Sequence, residues 1–458
     1  MLMPRVVISG LSGGSGKTTV SLGLTRALTR RGLTVAPFKK GPDYIDTAWL
    51  ALAAGRRAAN LDPFFFSPGQ IRNHFIRCFQ GADIGLVEGN RGFFDGRDLS
   101  GTCSTAEVAA ALDAPVILVV DITKMTRTTA ALVTGCRNFP GGGRIAGVVL
   151  NRSGGPRHAT IARRAVEELA GVKVFGVLPR LDSALIFERR AGLLTVGESS
   201  GAEESLSDIA ALISEHVDIE AILAIAKNAP EFPGVATDEA PENAARGSAV
   251  RIGVVRDEAL WQYYDENFDA LRHAGAELVF VSLLDEAPWP QMDALYLGGG
   301  DLGPYASLLA GNAARKKEII TLIESGMPVY AEHSGYFYLG RMFTHDGATH
   351  EMAGVFPVRA TVTEKPARLG YMEARLEKDT PFYAAGYSFK GHEYHYADIT
   401  VGEDAGASLQ KAAGGRRIEV ADGLVYKSAF GTSMQIFAPA VPEWAVSFVR
   451  AARLWNER

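Results

Sequence analysis

A glycine-rich loop near the start of the sequence constrains this chain more than any other feature. The loop, residues 10–19 (GLSGGSGKTT), follows the apolar run 6–8 and precedes a helix-like stretch at 20–30. Successive glycines let backbone N–H groups surround phosphate oxygens, and the N-terminus of the following helix faces the same anion. This order of strand, loop and helix predicts that the chain binds ATP.

The loop is a variant of the usual phosphate-binding pattern G-x-x-x-x-G-K-[ST]. The first glycine of that pattern falls on Leu11, and Gly10 lies one place early. Lys17 is placed to reach the outer phosphates and Thr18 to hold Mg²⁺. The alternative, a turn that is merely rich in glycine, is disfavoured because strand, loop, lysine and helix agree. The predicted nucleotide-binding residues are Gly13, Gly14, Gly16, Lys17, Thr18 and Thr19.

Composition narrows the class of protein and its setting. The chain has 458 residues and a formal net charge of −5, enough length for two or three domains and no block of basic residues. We therefore expect no nucleic-acid or membrane partner. Three cysteines without metal-ligand spacing and an N-terminal stretch without the apolar core of a signal peptide predict a cytoplasmic protein.

The order of apolar runs predicts the fold class. Short strand-like runs alternate with helical periodicity at residues 6–8, 34–37, 84–87, 116–120, 145–150 and 172–178. This alternation predicts an α/β fold with a parallel sheet covered by helices. Residues 228–248 contain three prolines and few apolar side chains, which is typical of a linker. We predict one domain at 1–227 and a second α/β domain at 249–458.

Acidic residues follow two of the predicted strands. Residues 38–46 (FKKGPDYID) come after the run 34–37, and residues 88–96 (EGNRGFFDG) come after the run 84–87. Open α/β sheets bind ligands at the carboxyl ends of their strands, where ATPases place the carboxylates that hold Mg²⁺. The candidates are Asp43, Glu88 and Asp95. The alternative interpretation is that all three are solvated turn residues.

These motifs carry a resemblance to a known family. With further motifs at 104–107, 151–152, 256–258, 298–300, 369–371 and 391–396, the chain resembles the cobyrinic acid a,c-diamide synthase family over nearly its whole length. Members are ATP-dependent amidotransferases that convert tetrapyrrole acetate side chains to amides. The resemblance implies a P-loop NTPase-type domain similar to dethiobiotin synthetase, followed by a class I glutamine amidotransferase-like α/β domain.

The resemblance also implies roles for individual residues. In this reaction a carboxylate accepts a phosphoryl group from ATP, and ammonia then displaces phosphate from the acyl phosphate. The implied set is Lys17, Asp43, Glu88 and Asp95 for catalysis, Thr18, Asp43 and Glu88 for Mg²⁺, Asn151 near the adenine, and Lys39, Tyr44, Ile45 and Asp46 for the tetrapyrrole. The last three of these residues are expected to form a loop that faces the macrocycle. The resemblance also allows a homodimer.

The C-terminal half departs from the family at the two residues that a glutaminase needs. Residues 327–332 are typical of a strand and 335–339 of the start of a helix, as expected for a nucleophile turn. The family's cysteine corresponds to His333 and its partner histidine to Gln435, while Ser334 lies one residue off the turn. We predict an inactive glutaminase and a supply of ammonia from solution or from a separate glutaminase.

Other observations leave alternatives open. His392, Glu393 and His395 are expected to have a structural or interface role rather than to bind a metal, and residues 64–66 (FFF) to pack in the core. A second hypothesis is a nucleotide-dependent tetrapyrrole carrier that does not amidate its ligand. A third is a partitioning-type ATPase switch, which the absence of a lysine at Ser12 disfavours.

Overall fold

The chain divides into two compact units, Met1–Asp238 and Glu239–Arg458. The computed structural model describes residues 2–180, 188–189, 192–193, 201–232, 250–402 and 405–458. The division falls inside the predicted linker, of which residues 233–248 lie outside the described part of the chain.

A seven-stranded parallel sheet forms the centre of the N-terminal unit. Its strands are β1 (Arg5–Gly10), β2 (Val35–Lys40), β3 (Ala59–Leu61), β4 (Ile84–Glu88), β5 (Val116–Asp121), β6 (Ile145–Ser153) and β7 (Lys173–Pro179). The spatial order is β3-β2-β4-β1-β5-β6-β7. Apolar side chains of the inner strands are buried on both faces, which explains why these strands appear in the sequence as continuous apolar runs.

Helices cover both faces of this sheet. They are α1 (Lys17–Arg30), α2 (Ile45–Ala54), α3 (Pro68–Phe79), α4 (Thr105–Ala111), α5 (Arg127–Asn138), α6 (Pro156–Ala165), α7 (Ala202–His216) and α8 (Ile219–Lys227). A small hairpin of β8 (Glu188–Arg189) and β9 (Gly192–Leu193) follows β7. The loops after β1, β2, β4, β5 and β6 all open at the carboxyl edge of the sheet.

Two boundaries differ from the sequence prediction in a way that matters for the site. Strand β2 extends through Lys39 and Lys40, which were predicted to lie in a loop. Helix α2 begins at Ile45, so Ile45 and Asp46 form its first turn and are not part of a loop. The hydropathy pattern missed the extension of β2 because a lysine can be buried in a strand once a carboxylate pairs with it.

The C-terminal unit contains a second, mainly parallel sheet. Its strands are β10 (Val250–Val255), β11 (Ala276–Val281), β12 (Ala294–Leu297), β13 (Val329–Glu332), β22 (Leu424–Tyr426) and β23 (Ala429–Thr432), and β22 alone is antiparallel to its neighbour. The spatial order is β11-β10-β12-β13-β23-β22. The helices are α9 (Asp265–His273), α10 (Ala306–Gly311), α11 (Ala313–Glu324), α12 (Ser334–Tyr338) and α13 (Pro442–Asn456).

Two further sheets, which the sequence analysis did not predict, complete this unit. The first, ordered β15-β14-β16-β19, contains β14 (Met342–His345), β15 (Ala348–Glu351), β16 (Val358–Val362) and β19 (Ala397–Val401). The second, ordered β21-β20-β17-β18-β24, contains β17 (Arg368–Leu376), β18 (Ser388–His395), β20 (Leu409–Ala413), β21 (Arg416–Asp422) and β24 (Gln435–Ile436). Strand β18 brings His392, Glu393 and His395 beside Gln435 on β24.

Two expectations about burial and membrane spans can be compared with the structure. The three phenylalanines at 64–66 are buried, so the prediction that they pack in the core is confirmed. Within the described residues, no helix combines the length and the apolar character that crossing a bilayer requires.

A buried arginine ties the first strand to the end of the N-terminal unit. Arg5 is fully buried and donates hydrogen bonds to the carbonyl oxygens of Leu112 (2.6 Å) and Pro230 (2.7 Å). Its guanidinium lies 3.9 Å from the centre of the Phe232 ring. These contacts attach the segment after α8 to β1.

We expect the Arg5→Met substitution to lower the free energy of unfolding of the N-terminal unit by about 2–4 kcal/mol, because several buried carbonyl groups lose their donor. Thermal unfolding followed by circular dichroism measures the loss. The matched control is Arg31→Met, since Arg31 is exposed and pairs with Glu220 at the surface. The control substitution should lower the free energy of unfolding by about 0–1 kcal/mol. Equal effects of the two substitutions would show that the buried contacts of Arg5 contribute no more than a surface ion pair.

Candidate active site

The phosphate loop joins β1 to α1 at the carboxyl edge of the first sheet. Lys17 is the first residue of α1, and its ammonium donates to the carbonyl oxygen of Ser12 at 2.8 Å, so the side chain lies along the loop. Gly16 adopts a left-handed φ of 95°. Asn151, at the end of β6, donates from Nδ2 to the carbonyl oxygen of Ser15 at 3.0 Å. The structure therefore places Asn151 against the loop, and its contact with adenine stays a prediction.

A buried carboxylate lies next to this loop. Glu88 is the last residue of β4 and has no exposed surface. Its Oε1 accepts hydrogen bonds from Thr18 Oγ1 at 2.7 Å and from Lys39 Nζ at 2.8 Å. Its Oε2 is buried without a hydrogen-bond partner among the described residues. The structure thus brings Thr18 and Glu88 together, and one carboxylate oxygen is left for another ligand.

Lys39 has a different position from the one predicted for a tetrapyrrole-binding residue. Its side chain is only 2% exposed, and the ammonium donates to Asp46 Oδ2 at 2.5 Å, to Glu88 at 2.8 Å and to the carbonyl oxygen of Gly89 at 3.3 Å. An ammonium has three N–H donors, so these partners use all of them. We therefore assign Lys39 the role of holding the two carboxylates in place.

The segment between β2 and α2 is fixed by its own polar groups. The half-buried Asp43 accepts a hydrogen bond at Oδ1 from the backbone N–H of Asp46 at 2.8 Å, which stabilises the first turn of α2. Asn60 donates from Nδ2 to the carbonyl oxygens of Gly41 (2.8 Å) and Asp43 (2.9 Å). The sequence analysis missed Asn60, because nothing in a three-residue strand marks one asparagine as a loop anchor.

Burial and charge together set the protonation of this cluster. Burial and the neighbouring Asp46 raise the pKa of Asp43 above its ordinary value, although Lys39 opposes the shift. Burial also raises the pKa of Glu88, and Lys39 again opposes it. For Lys39 burial disfavours the charged form, but Asp46 and Glu88 outweigh burial and raise its pKa. Lys39 therefore favours the ionised form of both carboxylates against the effect of burial.

These groups fit Mg²⁺ bound with a nucleotide triphosphate. Magnesium sites in phosphoryl-transfer enzymes use one or two protein oxygens, with phosphate oxygens and water completing the shell. Thr18 Oγ1 and the unpartnered Glu88 Oε2 supply such oxygens beside the N-terminus of α1. No set of three or more His, Cys, Asp or Glu side chains within the described ranges could hold a metal ion without such additional ligands.

Asp95 holds the shape of the loop after β4. Its carboxylate accepts a hydrogen bond from the backbone N–H of Gly92 at 3.1 Å, and the side chain is exposed. The backbone N–H of Phe93 donates to the carbonyl oxygen of Gly10 at 2.7 Å, so this loop packs on the phosphate loop. The structure shows Asp95 in contact with its own loop. Its role in catalysis stays a prediction.

In the C-terminal unit, His333 occupies a sharp turn between β13 and α12. Its backbone has φ 49° and ψ −116°, a conformation that L-residues rarely adopt. The imidazole is buried, with Nε2 2.8 Å from the carbonyl oxygen of Tyr394 and Nδ1 2.8 Å from Ser334 Oγ. The Ser334 hydroxyl also lies 2.7 Å from the carbonyl oxygen of Gly300. The strained turn of a nucleophile is therefore present, with an imidazole on it.

The groups around this turn are arranged for packing. In the glycine segment 298–300, the backbone N–H of Gly298 donates to Tyr263 Oη at 2.7 Å, and that of Gly299 donates to the carbonyl oxygen of Gln262 at 3.3 Å. Gln435 is buried, and its amide has no hydrogen-bond partner among the described residues. Two N–H groups that could stabilise an oxyanion are thus already used.

A buried ion network stands beside the turn. The ammonium of Lys411 pairs with Glu393 and, at 2.7 Å, with Asp422. Ser433 donates to Asp422 at 2.7 Å, and His395 Nε2 lies 3.8 Å from Glu393 Oε2. No group of three or more His, Cys, Asp or Glu side chains that could hold a metal ion is present in the described part of this unit. The structural or interface role expected for the 392–395 segment stays a prediction.

Comparison with known proteins decides the family. The chain is 39% identical to the cobyrinate a,c-diamide synthase of Magnetococcus marinus, over 100% of this chain and 98% of the relative. It is 39% identical to the cobyrinate a,c-diamide synthase of Archaeoglobus fulgidus, over 99% of this chain and 98% of the relative. It is 36% identical to that of Picrophilus torridus, over 98% of this chain and 99% of the relative. The chain belongs to the cobyrinate a,c-diamide synthase family.

Two domain families match within this chain, one in each of its two units. The CobQ/CobB/MinD/ParA nucleotide binding domain matches residues 6–190. The CobB/CobQ-like glutamine amidotransferase domain matches residues 251–438. The predicted fold class, a P-loop NTPase-type parallel sheet followed by an amidotransferase-like α/β domain, is confirmed. As a cobyrinate a,c-diamide synthase family member, the chain combines a nucleotide binding domain with a glutamine amidotransferase domain.

Replacing Lys39 tests its role in this family member. We expect Lys39→Met to weaken Mg²⁺-dependent ATP binding about tenfold at pH 7, because Glu88 and Asp46 lose their shared cation and the neutral form of Glu88 is favoured. Part of the affinity should return at pH 9, because a higher pH favours the ionised form of Glu88. Isothermal titration calorimetry at both pH values measures this.

The control is Lys40→Met, which removes the neighbouring buried lysine on the opposite face of β2. It should leave ATP affinity within about twofold, since the Glu88 pair stays intact. A Lys39→Met protein with normal ATP affinity would refute the positioning role.

The buried imidazole of His333 makes stability depend on pH. Burial lowers the pKa of His333 to about 4, and the nearby His395 acts in the same direction. The unfolded chain binds a proton near pH 6.5, so the stabilisation is complete above that pH and is lost as the pH falls toward 4. The change amounts to roughly 3 kcal/mol.

The variant His333→Asn retains a residue that tolerates positive φ and removes the titrating group. We expect its urea midpoint to fall less than that of the wild type between pH 7 and pH 5. Part of the dependence should persist, because burial lowers the pKa of His392 to about 3. Tryptophan fluorescence follows the C-terminal unit, which carries four of the five tryptophans. Identical pH profiles of the two proteins would contradict a neutral buried His333.

Proposed function

We propose that this protein is an ATP-dependent a,c-diamide synthase that amidates two acetate carboxylates of cobyrinate. The observation that carries the proposal is the cluster of Thr18, Lys39 and Glu88 beside the phosphate loop, in a chain whose relatives bear this name over their full length. A carbon–nitrogen ligase needs such a cluster, because the acid must be activated before an amide can form.

The chemistry follows from what the N-terminal residues can do. Lys17 and the N-terminus of α1 bind the phosphates, and their positive charge opposes the negative charge that develops during transfer. Thr18, Glu88 and Asp43 would hold Mg²⁺, which neutralises phosphate charge when bound. A substrate acetate oxygen then attacks the γ-phosphorus of ATP, and ADP leaves. Ammonia attacks the resulting acyl phosphate at carbon and expels phosphate.

The Tyr44–Asp46 segment supports a substrate-facing role for the start of α2. Tyr44 and Ile45 are half-buried next to Asp43 and therefore retain surface that a macrocycle can contact. The carboxylate of Asp46 is paired with Lys39, so Asp46 would affect the substrate site indirectly, by fixing the first turn of α2 through that ion pair. We expect Tyr44 and Ile45 to contact the tetrapyrrole and Asp46 to position them.

Ammonia is the proposed nitrogen source. A class I glutaminase forms a thioester, and an imidazole at position 333 cannot supply the sulfur. Gln435 replaces the general base, and two candidate oxyanion donors are used inside the chain. Free ammonia, or ammonia delivered by a separate glutaminase, serves the reaction.

Mass spectrometry of the tetrapyrrole products tests the proposal. Purified protein with MgATP and cobyrinate should yield a diamide with ammonium and no amide with glutamine. Sirohydrochlorin and siroheme serve as alternative substrates. The control is Glu88→Gln, for which we expect an activity loss of about a hundredfold or more, because a charge at the metal site is removed.

Each other outcome has a definite meaning. Amide formation with glutamine alone would overturn the assignment of His333 and Gln435. Amidation of siroheme or sirohydrochlorin but not cobyrinate would retain the reaction and change the substrate. ATP hydrolysis without any amide product would favour the tetrapyrrole carrier.

A further inference from the structure

Arg91 is held in a strained position on the loop after β4. Its φ is 53°, in the left-handed region that residues other than glycine and asparagine seldom adopt. It lies three residues beyond Glu88, and its side chain is exposed. Strained backbone persists only where the surroundings hold it, and it is frequent at ligand sites.

Hydrogen bonds on both sides of Arg91 fix this conformation. The backbone N–H of Asn90 donates to Thr105 Oγ1 at 3.2 Å, and that hydroxyl lies 3.2 Å from the carbonyl oxygen of Asn90. The backbone N–H of Gly92 donates to Asp95. The position of the Arg91 Cα is therefore determined by α4 on one side and by its own loop on the other.

The same neighbours place Arg91 between two parts of the active site. A Cβ at Gly41 would lie 3.2 Å from Asn90 Nδ2, so Asn90 lies against the segment that leads to Asp43. A Cβ at Gly92 would lie 2.6 Å from the carbonyl oxygen of Leu11, so Gly92 lies against the phosphate loop. Arg91 stands at the junction of the phosphate loop and the start of α2.

The Arg91 guanidinium forms no ion pair within the described ranges. There no hydrogen bond or ion pair reaches its side chain, whereas Arg144 pairs with Asp113 and Arg152 with Asp121. Burial lowers the pKa of Lys40, and the charge of Arg91 acts in the same direction, whereas Asp62 opposes it. Arg91 thus adds a positive charge at the edge of the site that no described residue neutralises through an ion pair.

We propose that Arg91 binds a carboxylate of the tetrapyrrole adjacent to the acetate being amidated. This inference rests on the proposed function. The substrate is a polyacid whose reacting acetate must meet the γ-phosphate, so its other carboxylates lie around the rim of the site. A guanidinium binds a carboxylate through two parallel hydrogen bonds, and an immobile backbone lets Arg91 select one orientation of the ring.

Phosphate is the other anion that could meet Arg91. The phosphate loop already provides Lys17 and a helix N-terminus for ATP, whereas the Arg91 charge acts on Lys40, the residue before Gly41. The substrate carboxylate is therefore the favoured ligand. Separate Michaelis constants for the tetrapyrrole and for ATP distinguish the two.

The test uses the full-length protein and two substitutions. Arg91→Asn removes the charge and keeps a residue that tolerates positive φ, while Arg91→Lys keeps the charge and loses the two-pronged geometry. The matched control is Lys427→Asn, since Lys427 is also exposed and has a φ of 52°. It removes one cation at the same kind of backbone position in the C-terminal unit.

We expect Arg91→Asn to raise the KM for cobyrinate about tenfold, Arg91→Lys to raise it less, and both to leave the KM for ATP within about twofold. The control should match the wild type. Tetrapyrrole binding followed by absorbance should weaken by the same factors in the absence of ATP, which distinguishes lost binding from misfolding. The proportion of the two monoamide isomers should also change in Arg91→Asn.

Two results would overturn the inference while the proposed function stands. In the first, the wild type forms the diamide and Arg91→Asn has the same KM for cobyrinate as the wild type. The other is a rise in the KM for ATP alone, which would assign Arg91 to phosphate. A wild type that forms no amide would overturn the proposed function, and unchanged tetrapyrrole binding by Arg91→Asn would then reject the inference on its own measurement.

Discussion

The ammonium of Lys39, buried between Asp46 and Glu88, is the interaction on which the nucleotide site depends. It joins β2, β4 and α2 at one point, and Glu88 extends the connection to Thr18 on α1. Burial raises the pKa of Glu88 and the Lys39 ammonium opposes that shift, so loss of this cation would further favour the neutral form of the acid beside Thr18. A single buried charge thus sets both the geometry and the electrostatics of the carboxyl edge of the sheet.

The candidate sites of the two units differ in which side chains they bring together. In the N-terminal unit Thr18 of α1 bonds to Glu88 of β4, and Lys39 joins Glu88 to Asp46 of α2. In the C-terminal unit the strained turn at His333 persists, although the residue on it cannot form a thioester. The buried network of Lys411, Glu393 and Asp422 stabilises the surroundings of that turn. The turn therefore keeps its geometry with an imidazole on it, and we propose that this domain does not act as a glutaminase.

Sequence patterns predicted the central strands because parallel strands buried on both faces are continuous apolar runs. The run 84–87 corresponds to β4 and 116–120 to β5, each within one residue. The same reasoning ended β2 too early at residue 37, since it counts Lys39 and Lys40 as exposed. Pairing across the sheet, which hydropathy does not register, buries both lysines. The resemblance implied that Lys39 binds the tetrapyrrole, whereas the structure shows its ammonium held by Asp46, Glu88 and Gly89.

The sequence by itself determined the alternation of strands and helices in the N-terminal unit, the presence of a phosphate loop and the residue types at positions 333 and 435. These features are local, because they depend on residue type and spacing along the chain. Only the tertiary structure decided which charges meet. Lys39 and Glu88 are separated by 49 residues, and Asn90 reaches Gly41 across a similar interval. Such contacts depend on the lateral order of the strands, since neighbours in the sheet are not neighbours in the chain.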